Sequence, residues 1–165
     1  MALFNLTDLR AALPRGQRLL GLDPGSKLVG LALSDVSLLL ASPYGSLKRG
    51  KLAANAAELA AIARKEGVGG LVAGLPLSMD GSFGPAAQAA KDWAMAVAAA
   101  AGLPVAMWDE RLSSAAVNRM MVAADLSRAK RAAAVDAAAA AYMLQAALDA
   151  TRPAASVPPP ETGES

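Results

Sequence analysis

The chain has 165 residues, the size of one domain, and 55% of them are hydrophobic, enough to bury a full core. It contains no Cys and no His, which excludes thiol catalysis, disulfides, Cys/His zinc sites and histidine acid–base chemistry. The net charge of +2 is too small to announce nucleic acid, and a local basic rim would still suffice to bind it.

Any chemistry therefore falls to carboxylates, Lys, Arg, Ser, Thr or Tyr, and oxygen ligands favour Mg²⁺ or Mn²⁺. With only 2 Trp, 2 Tyr and 2 Phe, a single-strand binder built on aromatic stacking is disfavoured. Alanine makes up much of the apolar fraction, which predicts many closely packed helices.

Residues 1–17 read as a lead-in. Asp8 and Arg10 interrupt Met1–Leu13, so no secretory signal is predicted there. Thr7 or Asp8 is a candidate cap for a short packing helix over Leu9–Leu13, stopped near Pro14.

From Arg18 the chain reads RLLGLDPGSKLVGLALSD. Two short apolar runs, Leu19–Leu22 and Leu28–Leu33, flank Asp-Pro-Gly-Ser-Lys, the pattern of a β-hairpin. Asp23 falls at the end of the first strand, a good place for a carboxylate to hold a metal ion. The same Asp-Pro-Gly is also an ordinary turn sequence. Gly25 and Gly30 lack a Cβ and let backbone or phosphate come close. Ser26 and Lys27 offer a hydroxyl and a cation to a phosphate.

Pro43 makes the next stretch, Ser37–Lys48, an edge or interrupted strand, with Tyr44–Lys48 as the third antiparallel strand. Arg49, Gly50 and Lys51 read as a solvated connection. Leu52–Glu66 has helical spacing and ends at Gly67. Val68–Ala73 is a short apolar strand without polar alternation, so it is expected to be buried on both faces. The loop Gly74–Ser82 follows at a strand's carboxyl end, where functional loops of open α/β sheets lie, and Ser78, Asp80 and Ser82 give it polar contacts.

A helix over Pro85–Ala101 is stopped by Gly102, and a short strand over Pro104–Trp108 leads directly into Asp109-Glu110-Arg111. Ser113 and Ser114 are candidate caps for a helix over Ala115–Ala124, and the last helix covers about Arg128–Ala150. Its first turn carries Arg128, Lys130 and Arg131, cations that oppose the helix dipole and so point to an anionic partner or to nearby carboxylates. Asp136 sits inside an alanine-rich run and must be exposed, paired or ligating. That run, Ala132–Ala147, is too short to span a membrane. Residues 151–165 read as a disordered, proline-rich tail.

The order of elements predicts a mixed α/β sheet of five strands, three antiparallel then parallel, flanked by helices. If the first and last strands neighbour each other and the final helix crosses their ends, Asp23, Asp109, Glu110 and Asp136 converge. Such a cluster repels itself unless divalent cations bind, and two metals could then activate water against a phosphodiester. Lys27, Arg111, Lys130 and Arg131 would surround that centre and hold phosphates.

Four stretches carry a resemblance: GLDPGSKLVGLALSD (Gly21–Asp35), GLPLSMDGSFG (Gly74–Gly84), WDERLSSAAV (Trp108–Val117) and VDAAAAAYMLQAALD (Val135–Asp149). In order and spacing the chain resembles the YqgF (RuvX) family, Holliday-junction-resolvase-like proteins also described as pre-16S rRNA nucleases. The resemblance implies an RNase H-like nuclease domain over 18–150 and metal-dependent cleavage of nucleic acid in the cytoplasm. It makes Asp23 the strand-end acid, gives the second acid to Asp109 or Glu110, and matches Asp136 to the acid of the final helix. It also makes GLPLSMDG a substrate-facing loop.

Two positions depart from the family pattern. Leu28 stands where a second basic residue often follows Lys27, and Ser113-Ser114 replace Thr-Thr while keeping both hydroxyls. The implied partner is a structured rRNA precursor, with branched DNA and a ribosomal particle left open, as either a monomer or a homodimer. Two other readings compete. One is a phosphotransferase, which the single domain disfavours, and the other is a non-catalytic nucleic-acid or transcription-associated binding module.

Overall fold

The computed structural model describes residues 3–25, 27–76, 84–109 and 128–153, with backbone alone at 3–4 and 128–134. In chain order the elements are β1 (Leu3–Phe4), α1 (Leu6–Ala12), β2 (Arg18–Pro24), β3 (Leu28–Ser34), β4 (Ala41–Lys48), α2 (Leu52–Glu66), β5 (Val68–Leu75), α3 (Pro85–Ala101), β6 (Val105–Asp109) and α4 (Arg128–Ala150).

The described strands form one six-stranded sheet in the order β1-β6-β5-β2-β3-β4. β1, β6, β5 and β2 run parallel, and β2, β3 and β4 form an antiparallel meander. The predicted mixed sheet is present, with one strand more than the five expected. The extra strand comes from the segment read as a lead-in: Leu3 and Phe4 pair with Val105 and Ala106. Two residues carry no periodicity, so only the tertiary partner defines this strand.

The lead-in helix also begins earlier than expected. Asn5 is its N-cap and accepts from the Asp8 N–H at 2.8 Å. Leu6 and Leu9 are buried, so α1 packs as part of the domain.

Period-two alternation divides the sheet's side chains between two layers. Leu20, Leu22, Val29, Leu31, Leu71, Ala73 and Val105 pack on α2 and α3. Leu19, Ala32, Val72 and Ala106 pack on α1 and α4. β5 is buried along nearly its whole length, as expected of a central parallel strand covered on both faces. It extends through Gly74 and Leu75, the first two residues of the predicted loop, and 77–82 lie outside the described residues. β4 lies at the sheet edge, where Pro43 sits beside a register shift between Leu31 and Ala32 and removes no interior ladder bond.

α2, α3 and α4 match the predicted helices, with Gly67 and Gly102 as left-handed C-caps. The helix expected over Ala115–Ala124 lies outside the described residues. So does the predicted tail, apart from its first three residues. Thr151 belongs to the domain rather than to a tail: its hydroxyl donates to the Ala147 carbonyl and accepts from Arg10 Nη1.

Candidate active site

β2 and β6 run parallel with β5 between them, so their carboxyl ends lie on one edge of the sheet. Asp23 is the last but one residue of β2 and Asp109 the last of β6, paired with Leu75. Two strand spacings separate β2 from β6, about 9–10 Å between backbones. Asp23 is 3% exposed, a rare burial for a carboxylate. It alternates with Leu22 and so belongs to the face covered by α4.

The helix comes to Asp23 through a glycine. Gly30 pairs with Asp23 across the hairpin. A Cβ built on Gly30 would overlap the carbonyl oxygen of Asp136. The backbone of α4 therefore lies directly on β3 where Asp23 is paired. Gly21 repeats the device toward the other end of the helix, where an added Cβ would stand 3.1 Å from Leu144 Cβ. The close backbone approach expected at Gly30 is thus made by the helix that carries Asp136, and Asp136 itself is half-buried.

The turn beyond Asp23 is tight. The Gly25 N–H donates to the Leu28 carbonyl at 2.8 Å, and a Cβ on Gly25 would stand 2.7 Å from that oxygen. Lys27 is exposed on the turn.

Asp109 is placed differently. Met107 packs with the α2–α3 layer and Trp108 with the α1–α4 layer. Continued alternation assigns Asp109 to the face opposite Asp23. Among the described residues, no three carboxylates gather as a metal-holding group. Asp23 and Asp136 are brought together, and Asp109 shares their sheet edge. Ser26, Ser78, Asp80, Glu110 and Arg111 lie outside the described residues. Lys130 and Arg131 fall in the first turn of α4, by backbone alone.

Sequence context alone presents Arg49 as a solvated loop cation. In the fold it is half-buried and donates from Nη1 to the Gly25 carbonyl at 2.9 Å. The available signal was register: in a tight meander the residue after β4 returns to the level of the β2–β3 turn.

A family model described as Holliday junction resolvase, RuvX, matches residues 17–150. The chain belongs to the RuvX family. A RuvX relative from Acidiphilium cryptum is 70% identical over 149 residues, covering 90% of this chain and 94% of its own length. Another from Gluconacetobacter diazotrophicus is 68% identical over 152 residues, covering 92% and 99%. Both relatives are provisionally named pre-16S rRNA nuclease. Among solved structures, Thermus thermophilus RuvC in complex with a Holliday junction substrate aligns with a TM-score of 0.51 at 18% identity. It covers 81% of this chain and 94% of the RuvC chain, which shows the RNase H-like fold.

Proposed function

We propose that this RuvX protein is a metal-dependent nuclease that hydrolyses phosphodiester bonds in the maturation of the 5′ end of 16S rRNA in the cytoplasm. The observation that carries the reading is the seating of α4 on Gly30, which brings Asp136 beside the strand pair that holds buried Asp23. The names of the relatives support RNA as the substrate. No described helix is long and apolar enough to cross a membrane.

The donor set fits a hard divalent cation: with no Cys and no His, the chain offers only oxygen ligands at this edge. Asp23 and Asp136 would hold Mg²⁺ or Mn²⁺ together with a second acid. We assign that acid to Glu110 rather than Asp109, because the alternation of Met107 and Trp108, continued by one residue, would turn Asp109 away from the face of Asp23. The bound ions supply water activation and charge stabilisation at the leaving oxygen. The chain itself supplies orientation. Ser26 and Lys27 on the turn, Ser78 and Asp80 in the loop after β5, and Arg111, Lys130 and Arg131 would hold the phosphate backbone across the sheet edge.

The test is cleavage of a 16S rRNA precursor and a four-way DNA junction, with Mg²⁺ or Mn²⁺, by the wild type and by Asp23→Asn and Asp136→Asn. Each variant is expected to lose more than about a hundredfold in rate, since even outer-shell changes cost 10–100-fold. Circular dichroism should be unchanged. Glu110→Gln should match them, with Asp109→Asn milder. Normal rates in Asp23→Asn would remove the site assignment. The family description favours a second reading, junction resolution, and cleavage of the four-way junction alone would select it.

A further inference from the structure

Arg49 stands one residue beyond β4, whose last residue, Lys48, pairs with Leu28. Its backbone N–H extends that ladder to the Lys27 carbonyl at 2.8 Å. Its Nη1 reaches the Gly25 carbonyl at 2.9 Å. Arg49 thus grips the turn on both sides of Ser26, two to four residues beyond Asp23.

The guanidinium lies 5.3 Å from the centroid of the Trp93 ring on α3. The Trp93 Nε1–H is buried and makes no hydrogen bond among the described residues, so the indole serves through its face. Among the described residues no carboxylate pairs with Arg49. The Trp93 face stabilises the cation through its π electrons and leaves its charge unneutralised among the described residues. An anionic ligand would add a charged partner to those the described residues supply. The planar guanidinium suits phosphate, and among the described residues its one hydrogen bond is to Gly25.

We propose that Arg49 binds a backbone phosphate of the nucleic acid beside the Asp23 turn, as a cation mounted on Trp93. This rests on the nuclease reading above. Asp23 belongs to the α4 face and Arg49 to the α3 face of the same sheet edge. A strand laid across that edge meets both. The residue contacts phosphate rather than bases, so its contribution is independent of sequence.

The experiment is fluorescence-anisotropy binding of a labelled double-stranded RNA hairpin and a labelled four-way DNA junction, without divalent metal, from about 50 to 200 mM salt. Arg49→Gln keeps an amide donor for Gly25 and removes the charge. It is expected to weaken both probes by a similar factor and to lower the slope of log K against log salt by about 0.7–0.9, one phosphate contact. Arg49→Lys should restore most of the slope. Lys65→Met, the same charge change at the far end of α2, should leave the slope unchanged.

A merely structural Arg49 would lose affinity with the slope unchanged, and that result overturns the proposal. So does wild-type binding in Arg49→Gln. If that variant does not fold, Trp93→Leu keeps the charge and removes its mount, and unchanged affinity there overturns the proposal as well. A wild type that binds neither probe removes the nuclease reading itself, an outcome distinct from failure of Arg49 alone.

Discussion

Gly30 is the residue on which the arrangement of the acids depends. Its missing Cβ is the space occupied by the Asp136 carbonyl. Backbone against backbone cannot be relieved by a rotamer change, so Gly30→Ala must push α4 off the hairpin. Overpacking of this kind costs about 1–3 kcal/mol, which for a chain of this length lowers Tm by roughly 2–12 °C. Cleavage should fall together with Tm, because the displaced segment is the one that carries Asp136. Gly45→Ala is the matched control: nothing lies within 4 Å of a Cβ there, and neither Tm nor rate should drop. Thermal melts and cleavage assays on the two variants check this. A Gly30→Ala protein of normal activity would mean that α4 tolerates the shift and that its close seating does not place Asp136. Gly30 was readable from sequence as a site of close approach, whereas the identity of the approaching group required the crossing of α4.

At the level of elements, the two outer segments show what local pattern misses. β1 and α1 were read as a lead-in, yet Leu6 and Leu9 are buried against α4 and its neighbours. Burying two leucines contributes about 1.5–3 kcal/mol each. Deleting residues 1–16 is therefore expected to lower Tm by about 10 °C or more, measured by calorimetry. Arg10 adds to this by bonding the Leu148 carbonyl and Thr151 at the end of α4. The helix start was in principle legible, since Asn5 with Asp8 three residues on is a capping pattern. The two-residue strand was not, because only β6 defines it.

The β3–β4 connection carries a pH-sensitive element. Asp35 accepts from Ser37 Oγ and from the Leu39 and Leu40 N–H groups, and Leu38 is held at φ 58° between them. Burial alone would raise the Asp35 pKa, but these hydrogen bonds outweigh it and hold the carboxyl below its ordinary value. A lowered folded-state pKa gives stability that is present above the unfolded value, near 4, and is lost as pH falls through the folded one. Between about pH 5 and pH 2 the wild type should therefore lose more Tm than Asp35→Asn. The difference should be small, about 1–3 °C, because solvent screens this exposed turn.

For the whole molecule, the sheet sets the proposed acids at one end of its strands and supporting contacts at the other. The three antiparallel strands, the buried β5 and the helices followed from apolar periodicity and glycine stops, because each is set by residues close in sequence. What did not follow was the parity of Asp109, which depends on where β6 ends, and the role of Arg49, which depends on β4 returning to the turn. The edge opposite Asp23 holds a cavity of about 300 Å³, lined by Arg18, Ser34, Asp35, Ser42 and Tyr44 among others. There the Tyr44 hydroxyl donates to Glu66 Oε2 at 3.0 Å, and Arg18 Nη1 lies 3.6 Å from Glu66 Oε1, tying β4 and β2 to the end of α2. Burial first, then the bond and charge of Glu66, keep the Tyr44 phenol above its ordinary pKa.

Arg18 and Asp23 stand near opposite ends of β2, so the two ends should respond independently to mutation. Tyr44→Phe removes one hydrogen bond and should cost about 0.5–1.5 kcal/mol by denaturant unfolding while leaving the cleavage rate within twofold. Asp136→Asn should do the reverse, removing activity at small cost in stability. The double variant then tests the partition: distant sites add to within about 0.3–0.5 kcal/mol. A larger interaction energy, or a rate loss in Tyr44→Phe, would show that α2 transmits the state of this edge to the acids, and the two ends would form one mechanical unit.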